Sequence, residues 1–121
     1  MDNRKTTSGR FSLDDASPHL WVLSGEVDVV VNTRFREVWP ADRRSTEPVE
    51  VHMGDVTFID SSGLRILYEA LKVTPEGQRP VLVDVPERAQ WIIDVTGLTS
   101  RFDFRTTTSP SDDDLPLADL G

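Results

Sequence analysis

The residues best placed to do chemistry in this sequence are Asp60-Ser61-Ser62-Gly63. They lie between the apolar run Val56-Thr57-Phe58-Ile59 and a helical pattern that starts at Leu64. The first turn of a helix leaves backbone N–H groups unpartnered, and the helix dipole makes that end electropositive. A carboxylate, a hydroxyl or a phosphate is favoured there. One reading is architectural: Ser61 or Asp60 is an N-cap, a common use of these residue types. The other is regulatory: the Ser61 hydroxyl accepts a phosphoryl group. That would add about −1.5 to −2 charges to the surface while its own helix tolerates the modification. The two are compatible, because a serine at a helix start can serve the fold and still be modified. Gly63 is expected to permit a tight entry and leave the surface open, at a modest cost in helix propensity.

Other chemistries lack their parts. A serine hydrolase needs a base beside the serine and a carboxylate to orient it. The Gly-x-Ser-x-Gly elbow is absent, since Ile59-Asp60 precede Ser61. His52 would stand roughly 30 Å away if the intervening residues run extended. No Gly-x-x-x-x-Gly-Lys-Ser/Thr loop occurs. With no cysteine and only His19 and His52, thiolate and multi-histidine metal centres are excluded. Asp112-Asp113-Asp114 reads as a solvated charge run before it reads as a weak cation site.

The segments that must position Ser61 alternate between strand and helix. Phe11-Ser12-Leu13 and His19-Leu20-Trp21-Val22-Leu23 suggest an antiparallel hairpin at a sheet edge, with a turn at Ser17-Pro18 and a stop at Ser24-Gly25. Val31, Phe35 and Val38 recur at helical spacing, with Asp28 as N-cap and Pro40 as terminator. The rival reading extends the strand through Val27 to Val31, because β-branched residues favour strands. Val49 to Ile59 reads as a strand with a bulge at Gly54-Asp55. Leu64, Leu67, Tyr68 and Leu71 then share a helical face. Pro80 to Val85 is a short strand. A third helix to Thr96 would bury Ala89, Ile92 and Val95, with Gly97 as a left-handed C-terminal cap. Phe102-Asp103-Phe104 is a candidate final edge strand. Short links between alternating elements imply βαβ crossovers, so the expected fold is α/β, a mixed sheet of about four to five strands with helices packed on it.

The chain has 121 residues, one domain's worth, with 13 Lys and Arg against 21 Asp and Glu, a formal charge of −8. That sign argues against direct nucleic-acid binding and against an anionic membrane surface. No apolar run reaches the roughly 20 residues of a membrane span, and no secretory signal follows Met1. A cytoplasmic protein is expected. Residues 1–10 and 106–121 are too polar to offset their ordering entropy and are expected to be mobile, the second an acidic tail around a domain at 11–105. Leu115, Leu117 and Leu120 offer that tail a means of docking.

Phe58-Ile59-Asp60-Ser61-Ser62-Gly63-Leu64 resembles the signature of STAS domains, specifically the bacterial anti-sigma factor antagonists. Ser24-Gly25-Glu26-Val27-Asp28 is similar to the family's Gly-Glu-Leu-Asp, and Val95-Thr96-Gly97-Leu98 to its Leu-Thr-Gly-Leu, in the same order and spacing. The resemblance spans roughly residues 10–105. It implies a partner switch with no catalytic activity and no cofactor. The unmodified antagonist binds an anti-sigma factor that is also a GHKL-type serine kinase, and so frees a sigma factor. Phosphorylation of the serine after the aspartate, here Ser61, weakens that complex, and a metal-dependent phosphatase restores it. Asp28, Asp60, Ser61, Ser62, Gly63 and Leu64 match the motif positions at the partner surface. The alternative is a non-switching STAS scaffold, or a soluble subunit of a membrane lipid or anion transport system. Val29-Val30-Val31-Asn32, the polar link from Trp39 to Pro48, and Trp91 depart from the family's pattern. Relatives often carry an exposed basic residue where Trp91 stands; its expected place is the core, an exposed contact residue being the other reading.

Overall fold

The computed structural model describes residues 8–107, so the ends expected to be mobile lie almost wholly outside the described residues. The elements run β1 (Arg10–Asp14), β2 (Ser17–Val27), α1 (Val29–Val38), β3 (Glu50–Ile59), α2 (Ser61–Val73), β4 (Val81–Val83), α3 (Glu87–Val95), a 3-10 turn (Thr99–Arg101) and β5 (Asp103–Arg105). The five strands make one sheet in the order β1-β2-β3-β4-β5. β1 and β2 form the antiparallel hairpin, and every later pairing is parallel. Each parallel step passes through a helix, because the chain must return to the same end of the sheet before it can pair again. The result is the α/β architecture the alternation predicts.

Local chemistry adjusts several boundaries. The hairpin turns at Asp15-Ala16, where the Ala16 N–H donates to Asp14 Oδ1 at 2.9 Å, and Ser17-Pro18 already belong to β2. β2 does not stop at Ser24-Gly25. Gly25 takes φ 67°, and register slips on either side of the Ser24-Gly25 step let the strand continue to Val27. Asp28 then caps α1, so the strand reading is right before Asp28 and the helix reading after it. In β3, His52 pairs with Val22 but Asp55 with Ser24, which places the expected bulge at Met53-Gly54.

The core is one cluster fed by the sheet and all three helices. Its aromatic part is an edge-to-face set: Trp21 has ring centroids 4.9 Å from Phe35, 5.1 Å from Trp39 and 5.8 Å from Phe11. Trp39, rather than Val38, is the buried residue at the end of α1. Its indole N–H donates to Arg43 O at 3.0 Å, which folds the polar link back against the core.

Helix phase departs from expectation in two places. In α2 the buried face is Leu64, Ile66, Leu67, Ala70 and Val73, while Tyr68 is exposed. This helix packs on both the sheet and α1, so its apolar stripe is broad and its centre is poorly marked by sequence. In α3 Ala89 and Ile93 are buried, Ile92 is half-buried, and Val95 and Trp91 are exposed. Gly97 does take the left-handed cap at φ 79°. Leu98 N–H reaches Ile93 O and Gly97 N–H reaches Asp94 O, both at 3.1 Å, a Schellman closure with Leu98 buried beneath it.

β5 is held at the edge by Arg105, whose guanidinium lies 2.6 Å from Glu50 Oε1, with His52 Nε2 at 3.4 Å on the same oxygen. Partial burial works to raise the Glu50 carboxyl pKa. The hydrogen bond and charge of Arg105, joined by His52, outweigh it and hold the group below its ordinary value. No helix among the described residues is long and apolar enough to cross a membrane.

Candidate functional site

The parallel strands β2 and β3 end side by side, and each feeds a helix through an aspartate. Asp28 Oδ1 accepts from Val30 N–H at 3.0 Å and from Val31 N–H at 3.4 Å. Asp60 Oδ1 accepts from Ser62 N–H at 2.9 Å and from Gly63 N–H at 3.1 Å. Both caps use the residue before the helix, with β-type backbone angles, as capping geometry requires. The ambiguity over which residue caps α2 is thereby resolved in favour of Asp60.

Ser61 is left as the first residue of α2, exposed. Among the described residues its hydroxyl makes no hydrogen bond. Its position is fixed by its neighbours. Asp60 N–H donates to Val27 O at 3.3 Å, joining the end of β3 to the end of β2. Asn32 Nδ2 donates to Ser62 O at 2.6 Å, tying the first turn of α2 to α1. Arg36 and Glu69 bridge the same two helices at 3.1 Å.

Gly63 does not open the surface, as the sequence suggested. It is buried, and an ideal Cβ there would lie 2.4 Å from Val27 O and 2.6 Å from Ile59 Cγ1. Its work is close approach, which brings the start of α2 against the end of β2. Leu64 is buried as well. The structure thus sets Asp28, Asp60, Ser61 and Ser62 at the junction of two helix starts, with Gly63 and Leu64 packed underneath.

Sequence reasoning missed two features of this region. Asn32 noticeably binds the two helices together, and its only signal was a polar residue among valines at the start of α1. The second is a set of exposed apolar side chains around the junction, Val29 and Val30 on α1 and Phe58 on β3; beside them Trp91 on α3 is exposed, the second of its two sequence readings, and not in the expected core. Phe58 faces outward because Thr57 is an extra residue in the ladder, with Val56 opposite Gly25 and Phe58 opposite Glu26. A hydroxyl in this setting is accessible to a modifying enzyme, and the surface about it suits a protein partner.

Comparison with known proteins agrees with this architecture. The family model described as STAS domain matches residues 19–111. Three curated relatives from Staphylococcus epidermidis, each called anti-sigma-B factor antagonist, are 31% identical over 78 residues, covering 63% of this chain and 72% of each relative. The matched span takes in β2 from His19 and the three later strands, together with both capped helix starts, and on that basis the chain belongs to the STAS domain family.

Proposed function

We propose that the chain is an anti-sigma factor antagonist: unmodified, it binds an anti-sigma factor that carries a GHKL-type serine kinase domain, and a sigma factor is released. Phosphorylation of Ser61 by that kinase turns it off, and a metal-dependent serine phosphatase turns it on again. Asp28, Asp60, Ser61 and Ser62 face the partner, and Gly63 and Leu64 hold them in place. The protein is a binding switch and performs no catalysis. The relatives' name supports the antagonist role.

One observation carries the switching reading. Asp60 satisfies the N–H groups at the start of α2, so the Ser61 hydroxyl is exposed and without structural duty. A phosphate on it would sit beside two capping carboxylates, at the centre of the surface a partner must cover. Charge placed in an interface changes both the rate and the strength of association.

The test is to incubate the chain with each GHKL-type serine kinase encoded in its source genome, with ATP, and to map the modification by mass spectrometry. Phosphate on Ser61, abolished in Ser61→Ala, is expected. Modification elsewhere alone, or none with any of the kinases, would reject the switch in favour of a scaffold.

A further inference from the structure

β3 has an open edge. β4 pairs with Glu50, Val51 and His52 and no further. Asp84 then takes φ 56°, in the left-handed region that Asp tolerates, and turns the chain away toward α3. From Asp55 to Ile59, therefore, β3 is paired with β2 on one side only among the described strands. Between that edge and α3 lies a groove of about 600 Å3, lined by Val56, Phe58, Ile59, Pro86, Ala89 and Trp91 among others. Phe58 is 52% exposed and Trp91 66%. A free strand edge recognises another extended backbone, and the apolar walls beside it take alternate side chains.

We propose that this groove receives an extended apolar segment of the same anti-sigma factor that covers Ser61, added to the free edge of β3 with Phe58 and Trp91 as its anchors. The proposal rests on the functional reading above. Continuity selects the occupant. Phe58 is three residues before Ser61, so at most about 11 Å of chain separates them. A stable interface takes about 800 Å2 from each partner, which as a round patch reaches about 16 Å from its centre. A partner centred on Ser61 thus extends over the mouth of the groove. There it meets an exposed tryptophan, the residue type that most often dominates binding. A second copy seated on the same edge would stand in that partner's way.

The experiment measures the affinity of the kinase that phosphorylates Ser61 for the wild-type chain, Trp91→Ala, Phe58→Ser and Ser61→Glu, together with hydrogen exchange of the free and bound chain. Trp91 is exposed, so its truncation leaves the melting temperature unchanged. Each groove variant is expected to bind at least tenfold more weakly, and amides of residues 55–59 to exchange more slowly in the complex. Wild-type affinity of both groove variants, with Ser61→Glu still weakened, overturns the groove and leaves the functional reading standing. Unchanged exchange at 55–59 on binding overturns it equally. A free-chain dimer that Trp91→Ala dissolves would assign the groove to a second copy. A change in Trp91 emission on deleting residues 108–121 would assign it to the chain's own C-terminal residues. Either result overturns the proposal, and a wild-type chain that binds no kinase removes it along with the functional reading.

Discussion

At Gly63 the backbone of α2 approaches Val27 O so closely that no side chain fits, and this contact sets where Ser61 stands. Gly63→Ala would gain helix propensity, about 1 kcal/mol at an unconstrained site. It must also displace a backbone carbonyl and Ile59, an overpacking cost of about 1–3 kcal/mol. Net destabilisation is expected, read as a lower midpoint in urea unfolding; a midpoint at or above wild type would show that the close approach constrains nothing. The pair Asp60 and Ser61 illustrates what single residues reveal in sequence. Their types marked a helix start, but either oxygen could have capped it. Only the bonds from Ser62 and Gly63 N–H to Asp60 assign the duty and leave Ser61 unengaged. Trp91 was misplaced for a related reason: tryptophan's apolar bulk argues for the core, and nothing in its neighbours shows that α3 turns Ile93 inward instead.

Elements were legible where punctuation was strong. Asp28, Pro40, Gly97 and the Asp60-to-Gly63 turn each mark a boundary that backbone chemistry enforces. The phases of α2 and α3 were not, because apolar residues cover more than one face of each and packing against neighbours chooses among them. The length of β2 was hidden by Gly25, which reads as a break and acts as an adjustable joint within a bulged ladder. At the sheet edge, β5 contributes three residues, and its tie to β3 is the Glu50–Arg105 pair. Because the folded Glu50 pKa is depressed, its stabilisation is present above the unfolded carboxylate pKa, about 4.3, and is lost as pH falls through the folded value. Arg105 is half exposed, so Glu50→Gln is expected to cost under about 1 kcal/mol at pH 7. The difference should close on acidification, followed by chemical denaturation across pH; a gap independent of pH would contradict the role given to this carboxylate.

On the scale of the whole molecule, one sheet end gathers everything the proposed switch requires. Parallel β2 and β3 deliver two capped helix starts to the same place, and α3 returns beside them after β4. The topology could be anticipated from alternating periods and short links. The apolar surround of Ser61 could not, since it depends on Thr57 displacing the ladder and on α3 leaving the edge of β3 uncovered. A rigid scaffold that exposes one hydroxyl can change affinity without changing shape, which is the physical content of the proposed switch. Titration calorimetry of the modifying kinase against the unmodified and the Ser61-phosphorylated chain tests this most directly. The phosphorylated form is predicted to bind at least tenfold more weakly, about 1.4 kcal/mol, with Ser61→Ala matching the unmodified chain. Equal affinities for all three would contradict the account.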